Sequence, residues 1–253
     1  MMPSIRFNGR ENPDYVLVHT IEDNLIPDIS VNTLKINGRD GEHRFSKNIG
    51  MREISVTLSI VGEDVKDVKK KARALVNDWL YTDGLAKFVN LDEPEVFYMA
   101  EISDTGNLVQ NLTLGQTTLT FLCPTPYAYS QDESVISMLN LPASGAIEFE
   151  NDGKDVFPIF SMTFTEDVRL FSIVTESRHM TFGHANGPVI FRNNDELAID
   201  GENGIILKNG ERFYEHLLPA SEFLKFGNGF NAVIMNPRHT IRNVTMRLRK
   251  RWL

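Results

Sequence analysis

The chain has 253 residues, 42% of them hydrophobic and 24% charged, with a net charge of −8; this is enough apolar content to bury one large core or two ordinary ones, and it is not a disordered composition. No apolar run approaches the roughly 18 residues of a membrane span, and no apolar stretch of the kind a signal peptide carries follows Met1-Met2-Pro3-Ser4-Ile5-Arg6. The single cysteine, Cys123, excludes an internal disulfide and points to folding in a reducing cytoplasm.

In chain order, the first clear element is a strand. Ile54, Val56, Leu58 and Ile60 alternate with Ser55, Thr57 and Ser59, the period of a half-buried strand. Gly62 breaks it, and Glu63-Asp64 open a helix at the end where negative charge is favoured. Val65, Val68, Ala72, Leu75, Val76 and Trp79 then recur on one face, so residues 63–82 are expected to form an amphipathic helix that covers a sheet. Lys66, Lys69, Lys70 and Arg73 lie off that stripe and read as its wet face. Asp83-Gly84 is the expected stop, with the glycine as a left-handed cap. Short strands follow at 86–91 and 96–102, and Asp104-Thr105-Gly106-Asn107 reads as a hairpin turn. The next strand sets Leu119, Phe121 and Cys123 on one face against Thr118, Thr120 and Leu122, and ends at Pro124-Thr125-Pro126. Residues 124–145 show little periodicity. The domain boundary is placed there, giving domains 1–133 and 134–253.

The second half reads as strand after strand, at 146–150, 157–165, 169–175, 188–191, 196–200, 204–208, 231–235 and 240–248. Turn signals lie between them, among them Asn151-Asp152-Gly153, Asn193-Asn194-Asp195 and Asn209-Gly210. A short stretch at 220–224 is the one helical candidate. Short strands at such spacing predict a β-sandwich. The fold class is therefore mainly β: a β-rich α+β first domain with one amphipathic helix, then a β-sandwich.

The placement of charge is uneven. Between Lys87 and Lys154 there is no Lys or Arg, while Asp92, Glu93, Glu95, Glu101 and Asp104 all fall in that stretch. Basic residues gather at the end of the chain, in Arg242, Arg247, Arg249, Lys250 and Arg251. In the strand at 240–248, Val244, Met246 and Leu248 share one face, so Arg247, Arg249 and Arg251 are candidates to meet an acidic neighbour. The plainer reading of both charge sets is a solvated surface and a charged edge. General nucleic-acid binding is disfavoured, because phosphates require a basic surface.

No catalytic constellation emerges. His179 and His184 are five apart in an expected loop, with no cysteine or carboxylate at a zinc spacing. There is no Gly-x-Ser-x-Gly elbow, Walker loop or dinucleotide fingerprint. Cys123 follows the apolar alternation of its strand and reads as core. Glu93 and Glu95 carry no spacing that marks a glycosidase. Of the two tryptophans, Trp79 lies on the helix stripe and Trp252 is penultimate, so the expected sandwich has no internal tryptophan platform for a sugar. No catalytic residue, cofactor or metal is assigned.

The run from Leu119 to Ser130, with its Cys-Pro-Thr-Pro-Tyr-Ala-Tyr segment, resembles the end of the first domain in the distal tail protein (Dit) family of long, non-contractile-tailed phages. The run from Ile147 to Ile159 resembles the opening of their second domain, a strand, an Asn-x-Gly turn and a Pro-led strand. Leu197-Ala198-Ile199-Asp200, Asn209-Gly210 and the run from Phe226 to Met235 follow in the right order, and Arg39-Asp40-Gly41 is a compatible early element. Length and pattern are closest to the member from a Bacillus-infecting siphophage.

The resemblance implies a first domain that forms a homohexameric ring, and a second, galectin-like or carbohydrate-module-like sandwich. The ring would join the tail tube protein to the tail-tip fibre or tail-associated lysin protein, with the tape-measure protein a further expected partner. DNA would pass through without specific binding, and no membrane is involved. The location implied is the virion tail tip, with assembly in the host cytoplasm. His184-Ala185-Asn186 matches only a fragment of the galectin polar set, whose tryptophan is absent, so sugar binding does not carry over. A tail hub must let the genome pass, and carboxylates repel DNA where Lys or Arg would hold it. Asp92, Glu93, Glu95 and Asp104 are therefore candidates for an acidic lumen. The competing readings are a carbohydrate-binding adsorption module and a wall-degrading enzyme.

Overall fold

The computed structural model describes residues 3–103 and 106–253. Two compact units divide the chain, residues 1–131 and Asp132–Trp252. No helix among the described residues is long and apolar enough to cross a membrane.

The first unit contains β1 (Ile5–Phe7), β2 (Arg10–Glu11), β3 (Val16–Asp23), β4 (Ile29–Lys35), β5 (Glu42–Ile49), β6 (Arg52–Val61), α1 (Val65–Leu75), β7 (Ala86–Asn90), β8 (Val96–Ile102), β9 (Val109–Asn111), β10 (Leu114–Cys123) and β11 (Ala128–Ser130). Its main sheet runs β2-β1-β7-β8-β10-β6-β3, with β9 beside β10 and β11 beside β8. The long β6–β10 pair sets Val56 opposite Leu119 and Ile54 opposite Phe121. The alternation read in both strands thus puts one apolar face into the core, with Ile54, Val56, Leu58, Ile60, Leu119, Phe121 and Cys123 all buried. Phe121 packs against Phe7 and Phe88, with ring centroids 5.0 and 4.8 Å away.

Helix α1 begins where its cap requires. The Asp64 side chain accepts from the Asp67 amide at 2.7 Å, and the Asp67 side chain accepts from the Glu63 amide at 3.0 Å. Val68, Leu75, Trp79 and Leu80 are buried. Val65 and Val76, expected on the same stripe, are exposed. At 100° per residue they lie roughly 60° and 80° round from Val68, at the margin of the face that Ala72, Leu75 and Trp79 centre on. The helix does not run to Gly84. It closes in a π-helical turn, Val76–Leu80, after which Tyr81 is extended, and Gly84 is not among the left-handed glycines. The wider turn keeps both Trp79 and Leu80 on the sheet. The Trp79 Nε1–H donates to the Arg10 carbonyl at 2.9 Å, and Arg10 in turn donates to the Asp78 carbonyl at 2.9 Å.

The second unit contains β12 (Ser134–Asn140), β13 (Ala146–Asn151), β14 (Ile159–Phe164), β15 (Leu170–Val174), β16 (His179–Gly183), β17 (Glu196–Asp200), β18 (Ile205–Lys208), β19 (Glu211–Arg212), β20 (Gly229–Asn236) and β21 (Ile241–Leu248). One sheet runs β12-β21-β14-β17-β18-β19 and the other β13-β20-β15-β16. A single core lies between them: Phe160, Ile199 and Met246 come from the first sheet, and Ile147, Phe171 and Val233 from the second. The β18–β19 hairpin turns on Asn209 (φ 52°) and Gly210 (φ 84°), the left-handed pair its Asn-Gly signal predicts. The fully buried Asn151 accepts from the Gly153 amide at 3.2 Å and donates to the carbonyls of Lys154 and Gly227, so the Asn-Asp-Gly turn carries its own satisfied polar centre.

Several expectations are corrected here. The stretch read as aperiodic holds the seven-residue strand β12; its exposed Val135 and Leu139 and half-buried Ile136 and Met138 put apolar residues on both faces, which hides the alternation. The segment 188–191 is no strand, only a bridge between Phe191 and Val168, because Pro188 lacks the amide a ladder needs. No helix forms at 220–224. His179 stands in a strand and not in a loop. Strand β21 is no edge; it pairs with β12 on one side and β14 on the other, and the short strand Arg251–Trp252 follows it.

Candidate assembly surface

The most exposed element of the first unit is the β4–β5 hairpin. It forms a two-stranded sheet of its own, and none of its residues is buried. Its register gives it two unlike faces. Ile29 pairs with Ile49 and Val31 with Lys47, while the intervening pairs are Ser30 with Asn48 and Asn32 with Ser46. Because successive side chains alternate, Ile29, Val31 and Ile49 share one face and the Ser/Asn pairs the other. A bulge opposite Asn32 and Thr33 admits Phe45, which keeps step with Lys47 and Ile49 and is 70% exposed. On the opposite face the Asn32 side chain donates to the Ser46 hydroxyl at 2.8 Å. A two-stranded ribbon that holds an isoleucine pair, a valine and a phenylalanine in water is unstable alone, and this one carries no core of its own. Its tip includes Gly38 and Gly41, both at φ 81°, so Arg39-Asp40-Gly41 is the turn of this hairpin.

The root of the hairpin is fastened to the main sheet. The Gly50 amide donates to the Asp28 carbonyl at 2.6 Å, joining the two ends of the ribbon. Beside it Arg52 is 3% exposed. Its Nη1 donates to Asp23 Oδ1 at 2.5 Å and to the Asn24 carbonyl at 2.6 Å, and its Nε donates to the Pro126 carbonyl at 3.1 Å. Tyr98 donates to the other Asp23 oxygen at 3.0 Å. Burial, reinforced by the Asp23 carboxylate, raises the Tyr98 phenol well above its usual range. Burial also pushes the Cys123 thiol up to about 12, so it is a packing residue held away from thiolate chemistry. This cluster ties β3, β6, β8 and the Pro124–Pro126 turn to the point where the hairpin leaves.

The charged candidates fall in separate places. Asp92, Glu93 and Glu95 are exposed in the β7–β8 loop, shaped by the Glu93 amide donating to the Asn90 carbonyl at 3.0 Å. Asp104 lies outside the described residues, as does part of the turn read around it. Arg247 is exposed on β21. Arg249 donates to Glu133 at 3.2 Å, and Arg251 donates through Nε to the Asp155 carbonyl at 2.6 Å while lying over the Phe157 ring. Among the described residues no group of three or more His, Cys, Asp or Glu side chains is placed to hold a metal ion.

Residues 13–123 match the family model of the phage tail protein RIFT-related domain, and residues 153–252 match that of the C-terminal domain of the siphovirus-type tail component. No curated protein matches the sequence. The fold is similar to that of the Dit protein of phage SPP1, described as a paradigm of the hub adsorption apparatus in phages infecting Gram-positive bacteria. That likeness has a TM-score of 0.82 at 16% identity and covers 100% of both chains. A looser likeness, with a TM-score of 0.47 at 10% identity over 99% of this chain and 98% of the other, joins it to a chain of the phage p2 baseplate in its activated conformation. With tail-protein family models matching both units in order, the chain belongs to the distal tail protein family of siphophages and is a structural hub component of the phage tail tip.

Proposed function

We propose that this hub component acts as a homohexameric ring, without catalysis, and that the β4–β5 hairpin is the surface through which its copies join. The observation that carries the reading is the amphipathic hairpin: Ile29, Val31, Phe45 and Ile49 stand exposed on one face of a ribbon that has no core of its own. Such a face is stable in water only when a partner covers it, and a ring of identical subunits supplies that partner at every position. The first unit carries the hairpin and is the ring-forming part in this reading.

The ring joins the tail tube protein to the tail-tip fibre or lysin protein and, in the particle, to the tape-measure protein; it assembles in the host cytoplasm. DNA passes through its bore. The exposed carboxylates of Asp92, Glu93 and Glu95 are the groups proposed to line that bore, since phosphates are repelled there and stay hydrated. Asp104 is proposed for the same wall.

Light scattering tests the ring directly. The expected mass is six times the chain's 28.7 kDa. A monomer at every concentration overturns the reading. Phe45→Asp is expected to abolish the ring and leave the melting of the separate chain unchanged.

A further inference from the structure

A ring is a head-to-tail assembly, so one subunit must present two unlike surfaces that fit each other. The hairpin supplies one. We propose that the other is the apolar groove between the π-helical turn and the sheet of the same unit, and that its occupant is the hairpin of a second copy of this chain. This inference rests on the ring reading above.

The groove holds about 320 Å³ and is lined by Val76, Leu80, Tyr81, Glu101, Ile102 and Leu119. The helix makes it. Because the π turn directs Trp79 and Leu80 inward, the next residues on the outer side, Val76 and Tyr81, are left 50% and 69% exposed beside Ile102 of β8. A site of about 150 Å³ already accommodates a benzene ring, so this groove has room for the Phe45 ring with an aliphatic neighbour such as Val31.

Charge selects the same pairing. The hairpin at 29–49 carries Lys35, Arg39, Arg44 and Lys47 against only Asp40 and Glu42. The groove has Glu101 in its wall, and β8 and β10 bring no Lys or Arg at all. A basic apolar ribbon meeting an acidic apolar groove gives register as well as affinity, whereas two hairpins packed face to face would set like charges together.

Paired cysteines distinguish the possibilities. Val31→Cys and Val76→Cys are conservative changes at exposed positions, and Cys123 is buried. A chain carrying both is expected to give, on oxidation, a ladder of covalent species ending at the closed ring. Either variant alone should give none. Val76→Asp is expected to raise the concentration needed for assembly roughly tenfold or more, at an unchanged melting temperature. Rings that form without any linked species, or a Val76→Asp chain that assembles like the parent, overturn the groove and leave the ring standing. Linkage by Val31→Cys alone shows hairpin meeting hairpin and also overturns it. A parent chain that never leaves the monomeric state overturns the ring itself.

Discussion

Arg52 shows how one residue positions the assembly surface. Its guanidinium satisfies a carboxylate and two carbonyls from two separate chain segments, Asp23-Asn24 and Pro126. Removing it takes a donor from Asp23 and from two carbonyls. Arg52→Ala is expected to cost about 1.5–3 kcal/mol through its lost charge-assisted hydrogen bonds, since Asp23 is partly exposed and keeps Tyr98, read as a shift in the denaturant midpoint. Asp195 makes a pH prediction. Burial opposes its ionisation, but hydrogen bonds from Asn209, the Arg192 amide and Lys208 outweigh it, so its pKa lies below the usual carboxylate value. A lowered folded pKa contributes stability that is present above the unfolded value of about 4 and lost as pH falls through the folded one. Asp195→Asn should therefore lower stability most above about pH 4, where the carboxylate is ionised, and approach the parent as pH falls, which leaves a flatter acid limb. An unchanged acid limb would show that these bonds survive protonation.

At the scale of elements, the helix and the hairpin make opposite predictions. Trp79 is 3% exposed and hydrogen-bonded at its indole nitrogen, so Trp79→Ala should cost roughly 3–5 kcal/mol through lost burial and a cavity. The exposed Phe45 has no comparable packing to lose, so its loss belongs in assembly and not in folding. The helix was legible because its stripe and acidic start are local signals. Its end was not: no local pattern distinguishes a π turn from an α turn, and the choice is made by the sheet that receives Trp79 and Leu80. The hairpin was not legible as an element, although Arg39-Asp40-Gly41 at its tip belongs to the family resemblance. The alternation Ile29, Val31 against Ser30, Asn32 is present, but the bulge at Phe45 breaks its period, and a face exposed in the single chain looks like a core face in the sequence. For β21, the charge reversal Arg247→Glu tests the proposed contact with an acidic neighbour, with weaker assembly at low salt the expected result. Arg249→Glu should cost at most about 1 kcal/mol of stability, because Glu133 is its partner and the pair is half exposed.

At the scale of the whole molecule, the second unit has its own core between two sheets. Residues 132–252 are therefore expected to fold alone, with a strand-rich circular dichroism spectrum and a cooperative melt; an insoluble or helix-rich product would contradict this. For the ring, replacing Asp92, Glu93 and Glu95 by lysine is expected to make assembled rings retain DNA in a salt-dependent way. Retention identical to that of the parent would place those carboxylates away from the bore.

By itself the sequence determined the fold class, the buried alternation of β6 and β10, the helix and its face, the Asn-Gly turn of the second unit and the family. These are local: strand and helix periods, turn dihedrals and apolar order along the chain decide them within a few residues. The tertiary structure decided which strands lie inside a sheet, where the helix stops, and which arginines already have partners. It also separated an apolar face that fills a core from one left exposed on the β4–β5 hairpin. Each of these depends on groups far apart in the chain, as Arg52 does on Asp23 and Pro126, and no local period encodes such a meeting.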